Sequence, residues 1–142
     1  MKNIDSYSYH LGAADCFCEM TAAGVKKIAL SHPCSSKEER DSFLENFDRL
    51  AEKYHVSYYP EDEPLLTDLF PISMNKGKHN VIFYADRKYL DRYLQLKADK
   101  KKYVSEGTYD QERIALAIRY GKLLSYTDEG IQRLLTRNTE KE

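Results

Sequence analysis

The sequence predicts a small three-layer α/β domain with about three mostly parallel strands, followed by a C-terminal helical extension of about three helices. Two observations lead to this fold class. In residues 1–85, short apolar runs typical of buried strands alternate with segments of helical periodicity. In residues 86–142 the periodicity is wholly helical. Strands joined by helix-containing crossovers pair in parallel, so we expect an α/β core in the first part, with the second part packed on it within a single domain.

The first predicted elements are a helix over residues 11–23 and a strand that contains Ile28–Leu30. Alanines and long side chains favour the helix, and Gly24 follows it where a left-handed cap is expected. A continuous apolar run such as Ile28–Leu30 is typical of a strand buried on both faces, as in parallel sheets. The next helix is predicted over residues 36–54, because a capping box opens it and apolar residues recur along one stripe.

Two further strands are predicted over residues 55–60 and 79–85, with a short helical turn over residues 65–71 between them. Three helices follow, and glycines or a capping threonine mark their ends. They are predicted over residues 86–106, over residues 110–120 and after Thr127.

Composition restricts the classes of function. The 142 residues are 42% hydrophobic and 32% charged, as in globular proteins, and no apolar run is long enough to span a bilayer. The polar N-terminus lacks the apolar stretch of a signal peptide, and three cysteines form a poor disulfide framework, so we expect a cytoplasmic protein with reduced thiols. A formal charge of −1 gives no field that would attract nucleic acid or a membrane surface.

Cys34 and Arg40 have the spacing that phosphatase-type cysteine enzymes use to bind a phosphate. The residues between them do not suit such a loop, because Glu38 and Glu39 would repel a dianion and no glycine eases a tight nest of amides. Two capping boxes, Ser35 to Glu38 and Ser36 to Glu39, both explain the same residues as a helix start. We therefore predict a strand end and a helix cap here, with Arg40 inside the helix.

His32 and Cys34 are the candidate catalytic or metal-binding pair. They follow the first strand at the edge where open α/β sheets bind ligands, and their spacing lets both side chains point the same way from an extended segment. Histidine and cysteine can bind a metal together or act as base and nucleophile. If the strands are parallel, acidic residues after the other strands join them, and a further ligand could come from the first helix. The candidate ligand-binding residues are Asp15, Glu61, Asp62 and Asp86.

Other motifs are better explained by structure. Cys16 and Cys18 lie two apart on a predicted helix, so they point in different directions and cannot chelate one ion. Ala117 and Gly121 have the spacing of a helix-turn-helix motif. The helix that would enter the DNA groove, however, begins with Asp128 and Glu129, whose carboxylates would be repelled by DNA phosphates. No glycine-rich nucleotide-binding loop and no nucleophile elbow follows a predicted strand, so no cofactor is identified.

Two functional hypotheses remain. The first is a cytosolic domain, bacterial in its general look, that acts through self-association, as a homodimer, or through another protein partner. It is supported by the small sheet and by a C-terminal part rich in tyrosine and leucine. The alternative is a small-molecule or metal site around His32 and Cys34, and as an enzyme it would be a hydrolase or a thiol-dependent transferase. Substitution of either residue and native mass spectrometry distinguish the two.

Overall fold

The fold is that of a computed structural model, which describes residues 2–142 and combines helices with one small sheet. Long helices occur at both ends of the chain, and the strands lie between them. The elements are α1 (Ser6–Ala22), β1 (Ile28–Leu30), α2 (Lys37–Asp41), α3 (Leu44–Tyr54), β2 (Ser57–Glu61), α4 (Ile72–Asn75), β3 (Asn80–Tyr84), α5 (Arg87–Glu106), α6 (Tyr109–Leu123) and α7 (Asp128–Arg137).

The strands form a sheet in the order β1-β3-β2, and both outer strands run antiparallel to β3. The predicted mostly parallel sheet is therefore wrong, although the mixture of helices and strands agrees with the prediction. The segment between β2 and β3 contains only the four-residue α4. It returns the chain to the end where β2 stops, so that Glu61 pairs with Asn80. A parallel neighbour needs a longer crossover that carries the chain back along the sheet.

The first crossover does contain helices. α2 and α3 connect β1 to β2, and these two strands run in the same direction because each is antiparallel to β3. β3 lies between them, which is the arrangement of a split β-α-β unit. The sequence pattern thus predicts the direction of β1 relative to β2, but these strands are not neighbours.

The helix predicted over residues 36–54 is two helices, α2 and α3. The Ser36 side chain accepts a hydrogen bond from Glu39 N at 3.0 Å, as the capping box predicts. Ser42 ends α2, and its hydroxyl donates to the Glu39 carbonyl at 2.5 Å. A side chain that bonds a carbonyl in this way competes with the helical hydrogen-bond pattern. The break allows Phe47 of α3 to pack edge-on against Phe83 of β3, with ring centroids 5.2 Å apart.

Side chains from both faces of the sheet are buried. Val81 and Phe83 of β3 belong to a core with α1 and α3, which we call the first face. Ile82 belongs to a core with α5 and α6, the second face. The first core contains Ala14, Cys18, Ala29, Cys34, Phe43, Phe47, Leu50, Val56, Val81 and Phe83. The second contains Ile28, Leu65, Leu69, Ile82, Leu90, Tyr93, Leu96, Leu116, Ala117, Tyr120, Leu123, Leu124, Ile131 and Leu135.

Candidate metal centre

A bulge at the end of β1 places the candidate pair. Leu30 pairs with Ile82, and the next bridge joins Cys34 to His79. Three residues of the β1 side, including His32, therefore stand opposite two residues of β3. Ser31 fills the irregular position, and its hydroxyl accepts a hydrogen bond from Val81 N at 2.8 Å. Bulges of this kind redirect side chains and are common near functional sites.

Helix α2 brings a third donor to the pair. One donor atom each from His32, Cys34 and Glu39 lies within 4.8 Å of the other two. The capping geometry holds Glu39 here, because one of its carboxylate oxygens accepts from Ser35 N at 3.2 Å. The same carboxylate also interacts with the Cys34 thiol. A nitrogen, a thiol sulfur and a carboxylate oxygen thus converge at the first face.

The Cys34 side chain is a buried neutral thiol. Its residue is 2% exposed, and burial raises the pKa of the thiol to about 11, with a further contribution from the Glu39 carboxylate. The sulfur makes a weak contact with the His32 carbonyl oxygen at 3.6 Å. A thiol with so high a pKa is a poor free nucleophile near pH 7, whereas a metal ion can displace its proton. The environment of Cys34 therefore favours metal binding over nucleophilic catalysis.

His32 is held in its neutral form by its surroundings. Burial lowers the pKa of its imidazole, the charge of His10 and of Lys78 lowers it further, and Glu39 acts in the opposite direction. The ring of His10, from α1, stacks on that of His32 with centroids 3.5 Å apart and planes 11° from parallel. Neutral imidazole is the form that coordinates metals.

The space between these side chains is closed. The pocket lined by His10, His32, Cys34 and their neighbours has no volume that would admit a water-sized molecule. An organic substrate therefore has no room among these side chains. A metal ion coordinated by them would occupy only the gap between the donor atoms. The geometry suits an ion.

Arg40 is not directed at an anion beside Cys34. Its residue is 2% exposed, and its guanidinium donates to the carbonyls of Glu61 at 3.2 Å and Asn80 at 2.8 Å. It also pairs with Asp62 at 2.8 Å and with Asp41 at 2.8 Å. With four of its five N–H groups engaged in this way, Arg40 joins the ends of β2 and β3 and is not directed at a phosphate beside Cys34.

The four acidic residues predicted to accompany His32 and Cys34 have other partners. Glu61 is buried on the second face, where Tyr93 and Lys97 each donate to its carboxylate at 2.8 Å. Asp62 bonds His79 at 3.0 Å, besides Arg40. The remaining two also have local partners: Asp15 bonds Tyr54 at 2.5 Å, and Asp86 caps α5 by accepting from Lys88 N at 3.0 Å.

The antiparallel direction of β3 explains the position of Asp86. It follows the C-terminal end of β3, which lies beside the N-terminal ends of β1 and β2. His32 follows the C-terminal end of β1, so the two residues are at opposite edges of the sheet. The prediction that placed them together depended on parallel strands.

Two residues of this centre had no site role in the sequence analysis. The sequence explains Glu39 as a capping residue, and His10 is not among the residues that it predicts for a site. A signal for His10 exists in the sequence, because His10, Ala14 and Cys18 recur at a spacing of four along α1, and the latter two are buried.

Comparison with protein-family models, with curated proteins and with solved structures found no match for this chain. No helix in the described part of the chain, residues 2–142, is long and apolar enough to cross a membrane.

Proposed function

We propose that this protein binds zinc through His32, Cys34 and Glu39. The observation that carries the proposal is the convergence of three donor atoms within 4.8 Å of one another. Zinc–nitrogen bonds of about 2.0 Å and zinc–sulfur bonds of about 2.3 Å place tetrahedral donors roughly 3.5 Å apart, so only a small inward movement is needed. Thiolate and carboxylate together carry two negative charges, which balance a divalent cation.

His10 acts in this proposal as a stacking partner of His32 and not as a ligand. A metal ion lies near the plane of the imidazole that binds it, and the two rings are nearly parallel and 3.5 Å apart. One ion cannot lie in both planes. The chain then supplies three of the four positions of a tetrahedral site, the number of protein ligands found in catalytic zinc sites. The closed space gives no support for a substrate pocket at this position.

A reducing compartment suits this chemistry, since Cys34 must stay a free thiol to bind. All three cysteines are unbonded in the described structure. A cytoplasmic location, which the sequence predicts, therefore belongs to the same proposal.

Zinc and cobalt binding test the proposal directly. The full chain, stripped with a chelator and dialysed against zinc, is expected to retain one zinc per chain by elemental analysis and native mass spectrometry. With cobalt it should show a thiolate-to-cobalt absorption band. Cys34→Ser should remove the band and weaken zinc binding by at least about 100-fold, since even the partners of zinc ligands are worth about 10–100-fold. Glu39→Gln should weaken binding to a similar extent.

The matched controls are Cys16→Ser and Glu38→Gln, which change exposed residues of the same types that lie outside the donor cluster. Both should keep the affinity of the unmodified chain. A chain that retains no zinc would overturn the proposal, as would a cobalt band that survives Cys34→Ser.

Self-association or a protein partner remains the other hypothesis, and the same mass spectra report the oligomeric state. Large exposed hydrophobic residues are present, but they come from separate segments of the chain. They are Ile4, Tyr9, Val25, Met74, Val104, Ile114 and Tyr126.

A further inference from the structure

A large cavity opens on the second face, between α5 and the segment that joins β2 to β3. Its volume is about 850 Å³, and Leu65, Asn75, Lys76, Lys97 and Lys101 are among its lining residues. We call it the lysine-rimmed cavity. Small-molecule sites commonly have volumes of about 300–1,000 Å³ and an apolar wall with a few polar groups. This cavity has both properties.

Asn75 supplies a polar group without a protein partner. The residue is 6% exposed and lines the cavity, yet its side-chain amide makes no hydrogen bond within residues 2–142. Among residues 2–142, the fully buried side-chain atoms without a partner are Asn80 Oδ1 and the Tyr109 hydroxyl, so the Asn75 amide is not one of them and faces the open space of the cavity. The amide of Asn75 therefore keeps both a donor and an acceptor available to a molecule in the cavity.

One side-chain oxygen of the neighbouring strand β3 is buried without a partner among the described residues, although it does not line the cavity. Asn80 is 2% exposed, and its Oδ1 has no partner in the described structure. It pairs across the sheet with Glu61, so the two side chains lie on the same face. The Glu61 carboxylate in turn bonds Lys97, which lines the cavity. The polar groups of this region are thus incompletely satisfied by the protein alone.

The charge of the rim is predominantly positive. Lys97 and Lys100 are committed to Glu61 and to the Leu66 carbonyl, at 2.8 and 2.7 Å. Lys76 and Lys101 also line the cavity, and neither has a carboxylate partner among residues 2–142. The rim contains two carboxylates, those of Asp62 and Glu63, and Arg40 already neutralises Asp62. Two ammonium groups are left against the exposed carboxylate of Glu63.

We propose that the lysine-rimmed cavity binds an anionic organic small molecule. Its charged group contacts the ammonium groups of Lys76 and Lys101, its apolar body packs on the wall formed by Leu65 and Val104, and the amide of Asn75 bonds a polar atom of the molecule. This site is separate from the zinc centre, and neither proposal depends on the other.

Three probes that share one aromatic ring test the charge requirement on the full chain. Phenyl phosphate is expected to bind measurably by calorimetry and to shift backbone amide signals of residues 62–66. Phenol should bind at least about 10-fold more weakly, because it lacks the charge-assisted contacts, and benzylamine should not bind. Equal binding of phenyl phosphate and phenol would overturn the proposal, as would no binding of phenyl phosphate.

Lysine substitutions locate the site. The Lys76→Gln, Lys101→Gln double variant should weaken phenyl phosphate binding by at least about 10-fold. Lys102→Gln, next in sequence and outside the lining, is the matched control and should leave the affinity unchanged. Equal weakening in the control would mean that phenyl phosphate is attracted by general surface charge, which contradicts the proposal.

Asn75→Leu separates a binding role from a structural one. It removes the amide while keeping the volume, so the protein should bind phenyl phosphate more weakly, while the melting temperature of the unliganded protein stays the same. A lower melting temperature with unchanged affinity would show that Asn75 serves the fold, and would remove it from the site.

Discussion

The donor cluster of His32, Cys34 and Glu39 on the first face differs from the lysine-rimmed cavity on the second face in two respects. These are the spacing of the polar groups and the open volume between them. In the cluster three donors converge and no volume is left between them. In the cavity about 850 Å³ is open, and the polar groups stand apart around it. Donor atoms that converge with no open volume between them favour a metal ion. An open cavity with separated polar groups favours an organic molecule. Cavity volume alone would have missed the first site.

The two regions share one structural link, which is Arg40. Its helix, α2, also carries Glu39 of the cluster, and its guanidinium holds the carbonyls of Glu61 and Asn80 and the carboxylate of Asp62, which lines the cavity. Substitution of Arg40 should therefore affect both regions, whereas substitution of a residue that belongs to one region should affect that region alone.

The largest expected effect is that of Arg40→Met. Arg40 is buried, but its two aspartate partners are about half exposed. The cost therefore comes mainly from the carbonyls of Glu61 and Asn80, each of which loses a donor at about 1–3 kcal/mol. Urea unfolding should show this loss, together with weaker binding of both zinc and phenyl phosphate. The control is Arg49→Met, whose exposed pair with Glu45 should be worth less than about 1 kcal/mol. If Arg40→Met were as stable as the unmodified chain, the claim that Arg40 connects the two regions would be wrong.

Glu61→Gln should disturb the cavity side alone. Glu61 is 3% exposed and accepts from Tyr93, Lys97 and Glu63 N. A neutral amide weakens these contacts and leaves Lys97 without its counter-charge, at a cost of about 1–3 kcal/mol in the free energy of unfolding. Zinc affinity should stay the same. Glu63→Gln, on the exposed rim, serves as the control for stability, and a large loss of zinc binding in Glu61→Gln would contradict the separation.

His10→Leu sharpens the account of the cluster. If His10 only stacks on His32, its loss should weaken zinc binding by about 10-fold, the smaller end of the range for residues that support zinc ligands. Competition with a zinc indicator dye measures this. A loss as large as that of Cys34→Ser would identify His10 as a fourth ligand and would require its ring to turn out of the stack.

The smallest expected effect is the pH dependence at Asp62. The hydrogen bond from His79, and next that from Arg40, hold the pKa of this carboxyl below its ordinary value of 3.8. A depressed pKa means that the carboxylate stabilises the fold above pH 3.8, and that this contribution is lost as the pH falls through the pKa of the folded state. Asp62→Asn should therefore flatten the unfolding profile only in this acidic range. A difference that appears between pH 5 and 7 would point to another group.

The sequence predicts where the strands lie better than how they pair. A continuous buried run such as Val81–Phe83 is typical of parallel strands because helices cover both faces of their sheet. Here helices cover both faces of an antiparallel sheet, so the pattern is the same and the direction is different. The direction of β3 relative to β2 depends on the edge of the sheet at which their connection ends. No local sequence pattern predicts that edge.

The candidate site was partly predictable for a similar reason. His32 and Cys34 follow a strand end, and Glu39 lies five residues after Cys34, so a short stretch of sequence contains all three donors. His10 comes from α1, and it reaches His32 only because α1 packs on β1 and β3. The lysine-rimmed cavity also depends on tertiary structure, since α5 and the segment before β3 meet only in the folded chain.

The bulge after β1 has a consequence for aggregation. β1 and β2 are both outer strands of the sheet. An outer strand presents unpaired backbone N–H and C=O groups that can pair with a strand of another molecule. β1 is three residues long before the bulge interrupts it, and Pro33 in the bulge has no amide to offer. Pro60 similarly interrupts the free edge of β2. Both margins of the sheet are therefore poor templates for strand addition, and copies of this protein that do associate are expected to meet through their helices.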